Sequence, residues 1–203
     1  MKILFLKNGI IPDPLIKWLW EKENNTVKVL EAKIKKTDIV RFKPDIVISY
    51  NYKYIIPEDI LNLIFGKTIN LHISYLPWNR GAHPNLWSFL KKTPKGVTIH
   101  LIDKGLDTGD ILVQKSVNFH SAKETLQSSY LKLHEELQNL FIKNWDEIRK
   151  FEIKPQKQKD KGSIHTLRDF DKIRSLISPS WNIGVKDLLK KYESIFPPNK
   201  NRQ

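Results

Sequence analysis

Residues 45–72, DIVISYNYKYIIPEDILNLIFGKTINLH, decide the fold class of this chain. Residues 45–49 have the apolar, β-branched character of a short buried strand, and residues 68–72 (TINLH) have it again. Between them, residues 57–64 carry apolar positions at helical spacing. A strand, a helix and a second strand in this order predict a parallel βαβ unit.

The residues before this stretch repeat the same alternation. Residues 2–6 (KILFL) are a continuous apolar run, as expected of a strand buried on both faces. Residues 12–20 predict a helix with Pro14 in its first turn, and residues 26–30 predict another strand. The sequence therefore predicts an α/β fold with a Rossmann-like, mostly parallel sheet flanked by helices.

After residue 72 the pattern changes. Residues 96–102 (GVTIHLI) alternate strictly, and residues 111–117 follow after a turn, which predicts an antiparallel hairpin at one end of the sheet. Residues 122–150 are amphipathic and predict one long helix against the sheet.

The chain is expected to divide near residue 150. Residues 154–161 (KPQKQKDK) have the composition of a basic linker, and residues 162–196 contain two short helical patterns. We therefore predict a catalytic domain over residues 1–150 and a small C-terminal extension over residues 151–203.

Composition excludes several classes of site. The 203 residues include no cysteine, which excludes disulfides, thiolate nucleophiles and cysteine-ligated zinc. No run of about 20 apolar residues exists to span a bilayer, and the apolar run at the start of the sequence is too short for a secretory signal. We expect a cytoplasmic protein with no membrane partner. The net charge of +13 would attract a phosphate-bearing substrate or nucleic acid. Alternatively, the charge belongs to a solvated, Lys-rich surface with no specific role.

Three polar features fall where open α/β sheets place their sites, beyond the carboxyl ends of strands. They are Asn70 with His72, the loop of residues 74–81 (SYLPWNRG), and the turn of residues 106–110 (LDTGD). Each alone has a structural explanation, such as a satisfied histidine or ordinary turn chemistry. Only their combination, order and spacing point to an enzyme.

In that combination the chain resembles the folate-dependent formyltransferases, a family that includes glycinamide ribonucleotide, methionyl-tRNA and sugar-nucleotide N-formyltransferases. The resemblance is dense over residues 45–118 and fades after about residue 150. The matching positions are Asn70-Leu71-His72, Leu76-Pro77, Arg80-Gly81-Ala82, Pro84, Trp87, Gly96-Val97-Thr98, His100 and Leu106-Asp107-Thr108-Gly109.

The resemblance implies a catalytic trio of Asn70, His72 and Asp107. Asn70 and a protonated His72 would donate hydrogen bonds to the formyl oxygen as negative charge develops on it. Asp107 would hold a water, keep His72 charged and relay the proton of the attacking amine. No metal is expected.

The same resemblance implies N10-formyltetrahydrofolate as the co-substrate. The folate ring is expected between two backbone segments, and Leu76-Pro77 matches a position where the family often has a cis bond. The expected folate contacts are Tyr54, Ile55, Ile56, Asp103, Lys104 and Leu106.

For the acceptor, the loop of residues 74–87 most resembles enzymes that formylate a nucleotide-linked amino sugar, such as a 4-amino-4,6-dideoxyhexose of lipopolysaccharide O-antigen biosynthesis. Arg80 would pair with the diphosphate. The expected substrate contacts are Trp78, Asn79, Arg80 and Asn85.

Alternatives remain open. The loop of residues 7–11 has one glycine and is a poor phosphate cradle for glycinamide ribonucleotide. The roughly fifty residues after the long helix are too few for the barrel of methionyl-tRNA enzymes, and nucleic acid is not the expected partner. A non-enzymatic nucleic-acid or folate binding protein on the same fold is a further alternative. A homodimer is expected, with Trp181 and Ile183 suited to its interface.

Overall fold

A six-stranded sheet organises the chain, of which the computed structural model describes residues 1–22, 24–120, 122–177 and 180–197. The strand order is β2-β1-β3-β4-β6-β7, and two further short strands, β5 and β8, pair with each other outside the sheet. The strands are β1 Lys2–Lys7, β2 Thr26–Leu30, β3 Ile46–Tyr50, β4 Thr68–His72, β5 Arg80–Gly81, β6 Gly96–Leu101, β7 Ile111–Ser116 and β8 Ile164–His165.

The sheet is parallel from β2 to β4 and antiparallel beyond it. β1 pairs in parallel with both β2 and β3, and β3 pairs in parallel with β4. β6 runs antiparallel to β4 and to β7. The predicted Rossmann-like sheet with an antiparallel hairpin at one end is therefore confirmed.

Helices cover both faces of the sheet. The helix predicted over residues 57–64 is a short α-helix that continues as a 3-10 turn over Asn62–Ile64. The long helix begins only after Thr125, whose hydroxyl accepts from the Ser128 amide while Ser128 bonds back to the Thr125 amide. The helices are α1 Asp13–Glu21, α2 Lys36–Phe42, α3 Glu58–Leu61, α4 Pro84–Leu90, α5 Leu126–Arg149, α6 Leu167–Asp171 and α7 Val185–Ile195.

Two apolar cores form because the parallel strands are buried on both faces. On one face α1 and α5 pack on the sheet, through residues such as Leu15, Leu137 and Phe141. On the other face α2 and α3 pack on it, through Ile39 and Ile60. Neither helix pair can bury its apolar stripe without the sheet, so the cores fix the positions of the strand ends.

The residues after 150 return to the loop that follows β4. β8 pairs in parallel with β5, and Phe170, Ile173 and Leu188 share an apolar cluster with α4. The two predicted helical patterns correspond to α6 and α7, which are separated by a 3-10 turn over Arg174–Ile177. The division at residue 150 stays a prediction.

The expected cis bond between Leu76 and Pro77 is present. Across the described ranges, no helix has both the length and the apolar character needed to cross a membrane.

Candidate active site

Asn70 and His72 lie near the carboxyl end of β4 and point to the same side of the strand, since strand residues two apart share a face. Register determines their neighbours. Asn70 lies opposite Ser49 on β3 and opposite His100 on β6. The switch from parallel to antiparallel pairing at β4 therefore places a histidine of the hairpin beside the predicted catalytic asparagine.

Asp107 reaches these residues from the turn between β6 and β7. Its backbone adopts a left-handed φ of 52°, which is uncommon for a residue other than glycine. Its carboxylate accepts a hydrogen bond from the Asn70 amide at 3.2 Å and another from the Gly81 backbone N–H at 2.8 Å. The structure thus brings together Asn70, His72 and Asp107 from two separate stretches of chain.

Two imidazoles flank the carboxylate. His72 Nε2 lies 3.7 Å from one oxygen of Asp107, and His100 Nε2 lies 3.6 Å from the other. His100 Nδ1 lies 2.8 Å from the Leu101 carbonyl, to which only an N–H can donate, so in the neutral ring Nε2 is an acceptor. The Asn70 amide lies 3.3 Å from that nitrogen.

The Asn70 amide is consequently directed at two acceptors, Asp107 and His100. Both contacts are longer than the usual hydrogen bond, and long bonds are weak ones. Donation to a substrate oxygen therefore requires only that Asn70 exchange one weak partner for a better one.

The titration of this cluster differs from what we expected from the sequence. Burial lowers the pKa of His72 below its ordinary value, and the opposing effect of Asp107 does not restore it. Burial by itself would raise the pKa of Asp107, but the two imidazoles and the Gly81 amide outweigh it and lower that pKa. The site at neutral pH therefore contains an ionised Asp107 beside a neutral His72, and not the protonated His72 that we expected.

Asn70 and Asp107 stand where two cavities meet. The larger has a volume of about 1320 Å³ and the smaller about 180 Å³. Tyr52, Lys53 and Leu106 line both cavities together with this pair. A group bound in one cavity can thus meet a group bound in the other at the Asp107 carboxylate.

The six predicted folate contacts all line the smaller cavity. They come from two loops, one after β3 and one after β6. In the second loop the Asp103 carboxylate accepts from the Gly105 amide at 3.0 Å and from the Thr108 hydroxyl at 2.7 Å. The loop that carries Asp107 is therefore braced by its own side chains. The contacts are Tyr54, Ile55, Ile56, Asp103, Lys104 and Leu106.

The four predicted substrate contacts are divided. Asn85 lines the larger cavity, where its amide donates to the Leu126 carbonyl and the Ser129 hydroxyl, each at 3.0 Å. Trp78, Asn79 and Arg80 are not among the residues that line either cavity.

The contacts of Asn79 and Arg80 explain their positions. Asn79 is fully buried, and its amide donates to the Thr93 hydroxyl at 2.8 Å. The Arg80 guanidinium donates through Nε and Nη2 to the Gln158 side-chain oxygen, at 3.1 and 2.7 Å. The structure therefore directs Arg80 to the residues after the long helix and away from the cavity.

Sequence reasoning missed several residues of the site. His100 was noted as a match to the family but was given no role, because its position beside Asn70 depends on the strand register. Gln158 lies in the basic linker, where composition gives no signal. Trp181 was expected at a dimer interface, but it lines the larger cavity, and Ile183 packs against the cluster around α4.

Within the described residues, no group of three His, Asp or Glu side chains is placed to hold a metal ion.

Comparison with known proteins gives a consistent family. Residues 13–144 match the family described as formyl transferase. A methionyl-tRNA formyltransferase of Caldanaerobacter subterraneus subsp. tengcongensis is 33% identical over 150 residues, which is 68% of this chain and 47% of that protein. The chain spans about half the length of the curated relatives that it matches.

Solved structures extend the match to the C-terminal residues. The formyltransferase PseJ of Anoxybacillus kamchatkensis, in complex with UDP-4,6-dideoxy-4-formamido-L-AltNAc and tetrahydrofolate, is 41% identical with a TM-score of 0.86. The match covers 95% of this chain and 100% of that one. A 4-N formyltransferase of Francisella tularensis shares the fold, with 22% identity, a TM-score of 0.78 and coverage of 94% and 87%.

Proposed function

The chain belongs to the formyl transferase family, and on that premise we propose that it transfers a formyl group from N10-formyltetrahydrofolate to the amine of a nucleotide-linked amino sugar. The observation that carries the proposal is the position of Asn70 and Asp107 at the meeting point of two cavities. A transferase of this kind needs one cavity for the donor and one for the acceptor, with the reacting groups at their junction.

The chemistry follows from the residues at the junction. The neutral amine attacks the formyl carbon, the carbonyl π bond opens, and negative charge collects on the formyl oxygen. Asn70 donates to that oxygen when its amide leaves Asp107 or His100, and such a donor typically contributes a few kcal/mol. The oxyanion then re-forms its double bond, the bond from carbon to folate N10 breaks, and N10 takes a proton. The products are a formamide and tetrahydrofolate.

His72 is suited to remove the proton from the amine. Because burial keeps the free imidazole neutral, it can accept a proton. The resulting imidazolium would lie 3.7 Å from the Asp107 carboxylate, which stabilises the charge. The protonated ring then becomes a donor to the oxyanion and a source of the proton for N10. Asp107 thus acts by its charge and by orienting Asn70.

We assign the folate ring of the donor to the smaller cavity, because the six residues expected to contact folate line it. The acceptor then occupies the larger cavity. Its volume, about 1320 Å³, exceeds the usual range for small-molecule sites, roughly 300 to 1,000 Å³. It therefore suits an acceptor larger than a monosaccharide.

The chemical class of the acceptor is supported by similarity over the whole chain. The Anoxybacillus enzyme, which was solved with a UDP-linked 4-formamido sugar, matches 95% of this chain, and residues 165–168 and 180–181 of the C-terminal part line the larger cavity. We therefore propose a 4-amino-4,6-dideoxy sugar on a nucleoside diphosphate. A cytoplasmic homodimer is part of the same proposal and is checked by light scattering in solution.

Methionyl-tRNA is the second candidate acceptor, because the curated relatives that match at 30–36% identity carry that activity. Those relatives are about twice as long as the aligned region, so their matched half alone does not establish their substrate here.

The test offers N10-formyltetrahydrofolate with three amines in parallel: a UDP-linked 4-amino-4,6-dideoxyhexose, methionyl-tRNA and glycinamide ribonucleotide. We expect mass spectrometry to show one added formyl group on the sugar nucleotide, with release of tetrahydrofolate. Asp107→Asn should lower kcat/KM by about 10² to 10⁴. Asp110→Asn is the control, since Asp110 pairs with Lys157 at 3.1 Å and lines neither cavity. Formylation of the tRNA alone would refute the sugar acceptor, and no transfer to any amine would refute the enzyme.

A further inference from the structure

Three rings pack together beside the larger cavity, and we call His83, Phe170 and Trp181 the aromatic shelf. The His83 and Phe170 rings lie 4.0 Å apart. Trp181 stacks on both, at 5.3 Å from His83 with an interplanar angle of 29° and at 5.7 Å from Phe170 with an angle of 12°. Of the three, His83 and Trp181 line the cavity.

The shelf keeps apolar surface open to the cavity. Trp181 is 42% exposed although two rings support it. Leu167 and Leu131, which line the same cavity, are 65% and 49% exposed. Large apolar side chains left open inside a concave wall indicate a ligand that covers them. A supported indole with an open surface suits a planar ring, because stacked aromatic groups attract one another beyond the area they bury.

The charges around the cavity favour an anionic ligand. Arg168 lies on α6, two residues before the shelf residue Phe170, and it lines the cavity, as does Lys53. Among the described lining residues, Asp107 is the one carboxylate, and it lies where this cavity meets the smaller one. An arginine presents paired N–H donors that match phosphate oxygens.

The shelf and the reacting groups share one cavity. The Asp107 carboxylate accepts from the Gly81 amide, and His83 follows two residues later. Gly81, His83, Asp107 and Trp181 all line the larger cavity. A ligand that fills this cavity can therefore contact the shelf with one end and reach the Asp107 carboxylate with the other.

We propose that the aromatic shelf is the base subsite of a nucleoside diphosphate, with Trp181 stacked on the base and Arg168 paired with the diphosphate. This inference rests on the proposed function for its sugar, but the binding of the nucleotide itself can be measured without catalysis.

The test titrates UDP, uridine and a short single-stranded RNA into the full chain by calorimetry. We expect UDP to bind, and Trp181→Ala to weaken it by about tenfold or more, as for other bases stacked on aromatic side chains. Trp181→Phe should retain most of the affinity. Trp20→Ala is the matched control, because Trp20 is 56% exposed on α1 and lines neither cavity. Arg168→Ala should weaken UDP but not uridine, whereas Arg41→Ala on α2 should change neither.

The outcomes separate the two proposals. If Trp181→Ala and Trp20→Ala bind UDP alike, or the wild type binds no UDP, the base subsite is wrong. Tight binding of the RNA in place of UDP would also overturn it. Formyl transfer to the sugar nucleotide with an unchanged KM in Trp181→Ala would refute the subsite and leave the proposed function intact. If UDP binding depends on Trp181 but no formyl group is transferred to any amine, the base subsite is supported and the proposed function is refuted. Thermal unfolding of each variant shows whether it is folded.

Discussion

Gln158 holds the backbone of Asp107: its side-chain amide donates to the Asp107 carbonyl at 2.9 Å. The same amide donates to the Gly109 carbonyl at 2.8 Å, and its oxygen accepts both bonds from Arg80. Asp107 has a left-handed backbone that needs support from its surroundings. A residue of the predicted linker therefore fixes the turn on which the site depends.

Gln158→Met should reduce the rate without unfolding the chain. Methionine fills similar space but cannot hold the two carbonyls, so the Asp107 turn loses its position. Misplacement of a reacting group by about 1 Å can cost on the order of a hundredfold in rate, and we expect a fall of tenfold to a hundredfold in kcat with a smaller change in KM.

Gln156→Met is the matched control, because Gln156 lies two residues away with an exposed side chain, while its backbone pairs with Ile111. Steady-state kinetics and thermal unfolding are measured on both variants. If Gln158→Met keeps the wild-type kcat, or loses rate only in proportion to lost stability, Gln158 does not position Asp107.

The pH dependence should show that His72 works as a base. Its pKa lies below the ordinary 6.5 because the ring is buried, so His72 is neutral at pH 7 and becomes protonated only in more acidic solution. kcat/KM, which reports the free enzyme, should therefore hold level near neutral pH and fall as the pH drops through the lowered pKa.

The substrate amine titrates as well, so the quantity to plot is the ratio of kcat/KM between the wild type and His72→Asn. The amine cancels in that ratio. A ratio that falls as the pH rises above 6.5 would mean that the protonated imidazole is the active form of the free enzyme.

The sequence predicted the sheet well because the buried strands are continuous apolar runs, which can be identified without knowledge of the rest of the fold. Continuous apolar runs such as residues 2–6 are buried on both faces wherever the chain folds in this way. The trio was predicted from the spacing of Asn70, His72 and Asp107 within a family pattern. These features are local, or nearly so, and can be detected in one stretch of sequence.

The contacts that complete the site are not local. Arg80 bonds to Gln158 across 78 positions of chain, and β5 and β8 are strands of two residues each, too short for any period to show. Arg80 was therefore assigned to the substrate from the resemblance of its loop and from the paired donors of its guanidinium. The protonation of His72 was also beyond the sequence, because burial of the ring depends on packing by distant elements.

His134 should make stability depend on pH. Its Nδ1 lies 2.7 Å from the Tyr50 hydroxyl, and burial, followed by the charge of His72, lowers its pKa to about 3. The unfolded chain takes a proton near 6.5 and the folded chain does not, so stability is present above 6.5 and declines as the pH falls. Between pH 6.5 and pH 5 this one group costs about 2 kcal/mol.

Urea unfolding at pH 8 and pH 5 measures this effect, with His134→Gln beside the wild type. Glutamine still offers an acceptor to Tyr50 but does not titrate, so the pH-dependent loss should shrink by about 2 kcal/mol. His120→Gln is the control, since His120 is exposed. Equal pH dependence in all three proteins would mean that His134 protonates as easily in the folded state as in the unfolded one.

A side chain at Gly81 should be destabilising for two reasons, backbone strain and a steric collision, and comparison with Gly66 separates them. Its φ is +89°, and a Cβ there would lie 2.4 Å from the His165 carbonyl oxygen and 3.0 Å from the Leu106 side chain. Gly66 has a similar φ of +72° but nothing within 4 Å of its Cβ position. Gly66→Ala therefore carries only the backbone strain, about 1 kcal/mol. Gly81→Ala adds the collision with β8, for a total of about 3 kcal/mol.

The activities of the two variants should differ more than their stabilities. Relief of the collision moves the Gly81 N–H, which donates to Asp107 at 2.8 Å, so the carboxylate loses the bond that orients it. We expect kcat to fall at least tenfold in Gly81→Ala and to stay at the wild-type value in Gly66→Ala. Urea unfolding and steady-state kinetics on the pair decide the matter. Equal stabilities and equal rates would show that β5 can move away from β8 without disturbing Asp107, and the link between the C-terminal residues and catalysis would then be absent.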